Sequence, residues 1–316
     1  MMETENFIWQ GRFDGSDPAH RRFYQAVSRQ ERADFTLFGF ACDEGVRRNG
    51  GRTGAADAPD AIRRQLANFA LHQDWRINDW GNVGCTDGDL AAAQQKLAAQ
   101  IGTALARKSV PVIFGGGHEV AYASFHALFA HVQNEPAPGR IGIINIDAHF
   151  DLRRTDMPSS GTPFFQAART LHRAGREFHY LCLGIARHSN TAALFETADA
   201  LGCRYFFDTD IHRAAAAQLS AEIERFAASV EHLYLSIDLD AFPAALAPGV
   251  SAPAARGIDL ATTEILLEQI GRSGKVRLFD IAECNPHFDT DNRTARLAAY
   301  LTYQLIGHIH QTKEPS

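Results

Sequence analysis

The alternation of short apolar runs with longer amphipathic stretches constrains the fold of this chain more than any other feature. Seven apolar runs occur, at 36–42, 110–115, 140–147, 179–185, 203–207, 232–238 and 276–282. Each is short enough for a β-strand and continuously apolar, which is typical of strands covered on both faces. Helical spacing of apolar residues fills the intervals, at 58–71, 90–107, 120–131, 191–201, 214–229 and 260–272, with 294–310 last. This alternation predicts an α/β fold with a central, mainly parallel sheet flanked by helices in three layers.

Domain organisation is less constrained, because 316 residues suit either two average domains or one large α/β unit. We find no repeat of fixed period and no low-complexity segment. The two conspicuous loops, 43–54 and 153–163, do not resemble interdomain linkers. We therefore expect a single domain over 1–316, with an N-terminal extension of about residues 1–33.

Charge and hydropathy exclude several classes of protein. The net charge of −6 disfavours a nucleic-acid partner, since the field of the chain would repel a polyphosphate. No run approaches the ~18 consecutive apolar residues of a membrane span, so no membrane partner is expected. The N-terminus is acidic and lacks a secretory pattern, and the five cysteines include no CxxC pair. We expect a cytoplasmic protein with reduced thiols.

Ionisable residues cluster directly after the apolar runs. Asp147, His149 and Asp151 follow one run with alternating parity, and Asp238 and Asp240 follow another. If both segments were extended, each set would project to one side. Three glycines precede His118 and allow a sharp turn there. Ligands of parallel α/β sheets bind at the carboxyl ends of the strands, where all of these residues would meet.

Four aspartates and two histidines without a thiolate suit hard or borderline divalent ions, and Mn²⁺ matches best. So many carboxylates exceed the need of one ion and favour two metals about 3.5–4 Å apart. The alternative is that the carboxylates cap helices or pair with arginines, but neither short motif contains Lys or Arg. A phosphate loop at GGGHE is disfavoured because the Lys-Ser/Thr of a P-loop is absent. Glu283, also at a strand end, is a single carboxylate placed to meet a cation.

Four motifs resemble those of the ureohydrolase family, which contains arginases, agmatinases and formimidoylglutamases. They are GGGHE (115–119), NIDAHFD (145–151), SIDLDAFP (236–243) and DIAECNP (280–286). The resemblance implies an arginase-like single domain with two Mn²⁺ per subunit. It implies that His118 and Asp151 bind one ion, that His149 and Asp240 bind the other, and that Asp147 and Asp238 bridge them.

The resemblance also implies a mechanism, in which a hydroxide bridging the metals attacks a planar amidine or guanidine carbon. Asp151 matches the position that binds metal and carries a proton toward the departing amine. Glu283 matches the residue that orients the cationic amidine through charged hydrogen bonds.

Departures from arginase indicate the substrate. Ser159–Pro163 stands where arginases and agmatinases have a His-Gly pair, and the segment after Asp240 lacks the usual acidic residue before its proline. Both features resemble formimidoylglutamases, which release formamide and L-glutamate from N-formimidoyl-L-glutamate in histidine degradation. An agmatinase, an arginase or a guanidino-acid hydrolase remains the alternative, and a non-catalytic metal-binding relative is a second.

Arginines in the candidate loops favour an anionic substrate tail. The predicted substrate-binding residues are Arg187, Arg153, Arg48, Arg52, Asn190 and Thr162. Each arginine has the alternative of a surface position or an internal ion pair. The expected partner is therefore a small molecule with carboxylates, and we expect the chain to form a homo-oligomer.

Overall fold

A single sheet organises the chain in the computed structural model, which describes residues 7–28, 30–85 and 87–312. Eight strands lie in the order β2-β1-β3-β8-β7-β4-β5-β6, and every neighbouring pair is parallel. The strands are β1 Phe35–Ala41, β2 Ile77–Gly84, β3 Val110–Phe114, β4 Ile141–Ile146, β5 His179–Ile185, β6 Arg204–Phe207, β7 His232–Asp238 and β8 Val276–Ala282. The seven predicted strands are all present, and β2 is additional.

Helices cover both faces of this sheet. They are α1 Glu44–Arg48, α2 Ala58–Leu66, α3 Leu90–Ala106, α4 Val120–Gln133, α5 Pro163–Arg173, α6 Ala192–Ala200, α7 Ala216–Ala228, α8 Leu260–Gly271 and α9 Arg293–Gln311. Helices α2, α7, α8 and α9 pack on one face, and α3, α4 and α5 pack on the other. Each face has its own hydrophobic cluster, so the predicted three-layer α/β fold is confirmed.

Capping and chain chemistry explain where several helices begin and end. Asp89 caps α3 by accepting from Ala92 N at 3.0 Å, and Asp259 caps α8 by accepting from Thr262 N at 2.9 Å. Pro163 is the first residue of α5. Proline is favoured there because the backbone N–H that it lacks would have no partner within the helix. The sequence did not predict α1 or α5, and the predicted helix 58–71 ends already at Leu66.

Strand β2 escaped prediction because polar residues and glycines interrupt its few apolar ones. It lies at one edge of the sheet. There Asp79 accepts hydrogen bonds from Nε and one Nη of Arg63, at 2.9 and 2.8 Å. Arg63 is fully buried, and its remaining hydrogen bonds also go to β2 and to Asp60. An ion pair of this kind replaces the apolar contacts by which strands are recognised in a sequence.

Part of the expected N-terminal extension packs against this edge. Trp9 Nε1 donates to Asp79 Oδ2 at 2.7 Å, and Phe23 is fully buried. Residues 1–6 lie outside the described residues. Among the described helices, none combines the length and the apolar character that a bilayer crossing requires.

Candidate metal centre and substrate cavity

The ionisable residues singled out from the sequence lie at the carboxyl ends of four adjacent strands, β3, β8, β7 and β4. His118 follows β3, Glu283 follows β8, Asp238 and Asp240 lie at and after the end of β7, and the Asp147 segment follows β4. Because all strands are parallel, these ends share one edge of the sheet. The topology therefore brings together four segments that are distant along the chain.

The ligands converge through turns and not through the extended chain that was expected. Strand β4 ends at Ile146, and Asp147 Oδ1 accepts from His149 N at 2.6 Å. Asp238 Oδ1 accepts in the same way from Asp240 N at 2.8 Å. These are Asx turns, in which an aspartate side chain binds the backbone two residues further on. The expectation of extended chain across both motifs is thus wrong, although the side chains still meet.

The first group of potential ligands surrounds His118, which is almost fully buried. Its Nδ1 lies 2.9 Å from Asp151 Oδ2, 3.0 Å from Asp238 Oδ2 and 3.1 Å from Asp147 Oδ2. Asp151 adopts a left-handed backbone with φ of 49°, which is costly for a residue with a side chain. This left-handed conformation lies in the segment after β4, in which Asp151 reaches the group around His118.

The second group consists of Asp147, His149 and Asp240. His149 Nδ1 lies 3.0 Å from Asp240 Oδ2 and 3.5 Å from Asp147 Oδ1. Asp147 thus presents one oxygen to each group, which is the arrangement that a bridging carboxylate needs. Asp238 lies only in the first group, with His118.

Electrostatics show that these carboxylates need a cation. In the described chain, the four aspartates form ion pairs only with the two histidines. Burial, followed by the charges of Asp240 and Asp147, raises the pKa of Asp238 well above its usual value. Burial would lower the pKa of His118, but the close carboxylates of Asp147, Asp151 and Asp238 raise it well above its usual value. Like charges crowded in a buried site are costly without a neutralising ion.

The donor set fits divalent metal ions. His118 Nδ1 and Asp240 Oδ1 are buried and have no hydrogen-bond partner among the described residues. Ligands at right angles about 2.1 Å from one ion lie about 3.0 Å from each other, which matches the spacing around His118. Carboxylates and imidazoles without a thiolate suit Mn²⁺. The side chains therefore have the chemistry and the spacing of a metal centre.

Glu283 stands beside this centre. Its Oε1 accepts from His118 N at 3.0 Å, and its buried Oε2 has no hydrogen-bond partner among the described residues. Burial, with the nearby charges of Glu119 and Asp240, raises the pKa of Glu283 to about 8. Its φ of 66° lies in the left-handed region, so Asp151 and Glu283 share this strained geometry. Glu283 also lines the cavity, where its free oxygen can receive a cationic group.

Sequence reasoning missed Glu119, which immediately follows His118. This residue is buried, and its Oε1 accepts from Gly45 N at 2.8 Å. Burial raises the pKa of Glu119 to about 7. A Cβ on Gly45 would lie 2.4 Å from the Glu119 carboxyl carbon, so α1 packs directly on this side chain. The glutamate of the GGGHE motif therefore connects α1 to the turn that carries His118.

A cavity of about 300 Å³ opens over the metal-ligand cluster. Its lining includes Glu283 and five of the six predicted ligands, all except Asp147. The outer wall contains Asn49, Gly50, Gly51, Arg153, Ser160, Ser189, Leu194, Ser251 and Ala252. Arg153 is the predicted substrate-binding residue that the structure places on this wall. The other wall residues are small or neutral.

Arg48 and Arg52, both predicted to bind substrate, make contacts within the protein. Arg48 binds Glu44 at 2.7 Å and the carbonyl oxygens of Gly88 and Pro158 at 2.9 and 3.3 Å. Arg52 Nε donates to Ser251 O at 3.1 Å, and its guanidinium lies 4.0 Å from the centre of the Phe288 ring. Neither side chain lines the cavity. Their donors are engaged by the protein, so they hold the cavity wall together.

Arg187 also lies away from the cavity, with its guanidinium 4.3 Å from the centre of the Phe207 ring. Asn190 is buried, donates to Ala148 O and Ala186 O, and accepts from Phe150 N.

Thr162 is buried, and its Oγ1 lies 3.0 Å from Ser159 N and 2.9 Å from Ser159 O. Asn190 and Thr162, both predicted to bind substrate, thus make hydrogen bonds within the protein, and neither lines the cavity.

Comparison with known proteins identifies relatives of this chain. The model of the arginase family matches residues 33–307. A formimidoylglutamase of Aeromonas salmonicida is 50% identical over 305 residues, covering 94% of this chain and 96% of that protein. A formimidoylglutamase of Chromobacterium violaceum is 45% identical over 308 residues, covering 96% and 98% of the two chains.

The solved structures agree in fold. The crystal structure of Trypanosoma cruzi formiminoglutamase with Mn²⁺ superposes with a TM-score of 0.82 at 25% identity. The superposition covers 93% of this chain and 99% of that one. Similarity therefore extends over nearly the whole chain and is not confined to the motifs.

Proposed function

The chain belongs to the arginase family and is a hydrolase, and from this premise we propose that it hydrolyses N-formimidoyl-L-glutamate to L-glutamate and formamide. Two relatives named formimidoylglutamase are 50% and 49% identical in sequence over 94% and 95% of this chain. The observation that carries the proposal is the position of Arg153 in the same cavity as the buried carboxylate cluster. One cavity thus offers carboxylates for metal ions and a cation for an anionic substrate tail.

We propose that the resident metal is Mn²⁺, with two ions per subunit. The first group, with His118, would hold one ion, and the second group, with His149, would hold the other. Asp147 is suited to bridge because its two oxygens face different groups. When bound, the ions would lower the pKa of a water so that it attacks the amidine carbon near neutral pH.

The residues of this chain supply orientation and proton transfer. Glu283 Oε2 would accept a charged hydrogen bond from the cationic amidine nitrogen, since this oxygen is buried and has no partner among the described residues. Its Oε1 is held by the backbone N–H of His118, which fixes the carboxylate relative to the metal ligands. Asp151 would hold the proton taken from the attacking water and pass it to the departing nitrogen.

The substrate tail would lie toward the outer wall of the cavity. N-formimidoyl-L-glutamate carries two carboxylates, and a planar guanidinium binds a carboxylate in a bidentate manner. Arg153 is exposed and lines the cavity, so its guanidinium is the candidate partner for one carboxylate. Serine hydroxyls at 160, 189 and 251 line the same wall and can donate to the other.

A direct comparison of substrates tests the proposal. The Mn²⁺-loaded protein is incubated with N-formimidoyl-L-glutamate, with arginine and with agmatine at equal concentrations. We expect formamide and glutamate from the first, with little urea from the other two. Preferred hydrolysis of arginine, agmatine or a guanidino acid would identify a different amidinohydrolase of this family. Absence of turnover despite two bound metals would support a non-catalytic role.

A further inference from the structure

A second cavity, with a volume of about 580 Å³, adjoins the substrate cavity. The two cavities share four lining residues, which are Asn49, Arg153, Ser189 and Leu194. The remaining residues around the second cavity are Arg48, Leu152, Arg154, Thr155, Met157, Ser159, Thr191, Ala193 and Thr197. We call this second space the arginine cavity. Because part of its wall is also a wall of the substrate cavity, a ligand in one can influence a ligand in the other.

The arginine cavity carries an excess of positive charge. Three arginines line it, and its described lining contains no carboxylate. The charge of Arg48 is neutralised, because its Nε donates to Glu44 Oε1 at 2.7 Å. Arg153 and Arg154 are exposed and form no ion pair with the described part of the chain. Two guanidinium groups therefore remain for an anion, in a chain whose net charge is −6.

Neutral donors accompany these charges. Helix α6 begins at the arginine cavity, where Thr191 and Ala193 line the wall. The side chain of Thr191 makes no capping hydrogen bond, so the N–H groups of the first turn can bind another acceptor. The exposed residues Thr155 and Ser189 add hydroxyl groups. Guanidinium, hydroxyl and backbone N–H groups together suit the oxygens of a carboxylate.

Arg153 stands on the wall that the two cavities share. Its backbone N–H donates to Gly161 O at 3.0 Å, and a Cβ on Gly161 would lie 2.9 Å from Arg153 Nε. The side chain therefore lies closely against Gly161. A planar guanidinium binds one carboxylate in a bidentate manner. An anion in the arginine cavity that engages Arg153 would thus compete with the substrate tail for this side chain.

We propose that the arginine cavity is a separate binding site for a small dicarboxylate, held by Arg154 and Arg153. L-Glutamate has this chemistry, and as the product it would inhibit the reaction by drawing Arg153 away from the substrate tail. The choice of L-glutamate rests on the proposed function, whereas the anion site rests on the residues that line the cavity. Arg154 lines the arginine cavity and not the substrate cavity, so it can be used to distinguish the two sites.

The experiment measures L-glutamate binding to the Mn²⁺-loaded full chain by calorimetry, together with inhibition of N-formimidoyl-L-glutamate hydrolysis by L-glutamate. The variants are Arg154→Ala and Arg169→Ala. Arg169 is the matched control, because both arginines lie over the Phe165 ring, at 5.7 Å for Arg154 and 6.0 Å for Arg169. Both are exposed, but Arg169 does not line the arginine cavity. L-Glutamine, with one carboxylate replaced by an amide, tests the charge of the ligand.

We expect Arg154→Ala to weaken L-glutamate binding and inhibition about tenfold, which corresponds to the loss of one charged hydrogen bond. The KM for N-formimidoyl-L-glutamate should change little, and Arg169→Ala should resemble the parent protein. L-Glutamine should bind the parent protein more weakly than L-glutamate does. Added salt should weaken L-glutamate binding, because the two guanidinium groups are exposed to solvent.

Equal L-glutamate affinity in Arg154→Ala and the parent protein would overturn the proposal, since L-glutamate would then bind only in the substrate cavity. A rise in KM as large as the loss of L-glutamate affinity would also overturn it, by assigning Arg154 to the substrate. So would an equal loss of affinity in Arg169→Ala, which would indicate a general effect of surface charge. Weaker L-glutamate binding by Arg154→Ala alone, in a chain that does not hydrolyse N-formimidoyl-L-glutamate, would contradict the proposed substrate and leave the anion site standing.

Discussion

The metal-ligand cluster and the arginine-bearing wall of the same cavity differ in how their side chains are used. In the described chain, the four aspartates around His118 and His149 have only these two histidines as ion-pair partners. Next to the wall, Arg48 and Arg52 donate hydrogen bonds to carbonyl oxygens, and Arg48 also donates to Glu44 of α1. The metal-ligand cluster thus has the character of a binding site, whereas the hydrogen bonds of Arg48 and Arg52 stabilise the protein itself.

The difference teaches how far residue type alone can be trusted. Several buried carboxylates at strand ends have few uses besides metal binding, because their mutual repulsion must be offset. An arginine has many uses, since its five donors fit a substrate carboxylate and a backbone carbonyl equally well. Exposure and lining of the cavity separate Arg153 from the structural arginines, and neither property can be read from the sequence.

The largest expected effect concerns the carboxylate shared by both ligand groups. Asp147→Ala removes the oxygens that face His118 and His149, and should abolish binding of the metal pair. We expect kcat/KM for N-formimidoyl-L-glutamate to fall by several orders of magnitude, and the same for Asp238→Ala. Metal content per chain and formamide release are the measurements. Two bound metals with retained activity in either variant would break the contrast between the regions.

A smaller effect is expected on the wall. Arg153→Ala should lower kcat/KM about ten- to a hundredfold with both metals retained, because a charged hydrogen bond is worth about 1.5–3 kcal/mol. Arg187→Ala is the matched control, since this arginine stacks on Phe207 outside the cavity and should change kcat/KM little. A larger loss from Arg187→Ala than from Arg153→Ala would show that the tail binds on the β5 side.

Arg52→Ala tests whether an arginine next to the cavity wall has a structural role. The substitution removes donors to Val250 O and Ser251 O and the contact with Phe288. We expect unfolding free energy to fall by about 1–3 kcal/mol, measured by denaturant titration, and kcat/KM to fall less than in Arg153→Ala. The exposed Arg173 of α5 provides the control, for which Arg173→Ala should change stability by about 0.5 kcal/mol or less. Full stability with impaired substrate binding would reassign Arg52 to the substrate.

The extent of successful prediction follows the same division. Strands buried on both faces were found from continuous apolar runs, whereas β2 was missed because Arg63 satisfies its polar side chains. The six residues predicted as ligands lie close together in two groups, but through Asx turns at Asp147 and Asp238 that periodicity does not reveal. The short helix α1 depends on Glu119, a contact between segments 74 residues apart. Pairings at this separation are set by the tertiary fold and leave no local pattern.

The smallest expected effect is on specificity, and it concerns the loop that lacks the histidine of arginases. Thr162 is buried and hydrogen-bonded to Ser159, so Thr162→His must displace the loop and should cost about 1–3 kcal/mol of stability. It should not create an efficient arginase, because Arg153 and the rest of the outer wall remain unchanged. Urea release from arginine, compared with formamide release from N-formimidoyl-L-glutamate, measures the outcome. Efficient arginine hydrolysis by Thr162→His would show that this loop, and not the wall, selects the substrate.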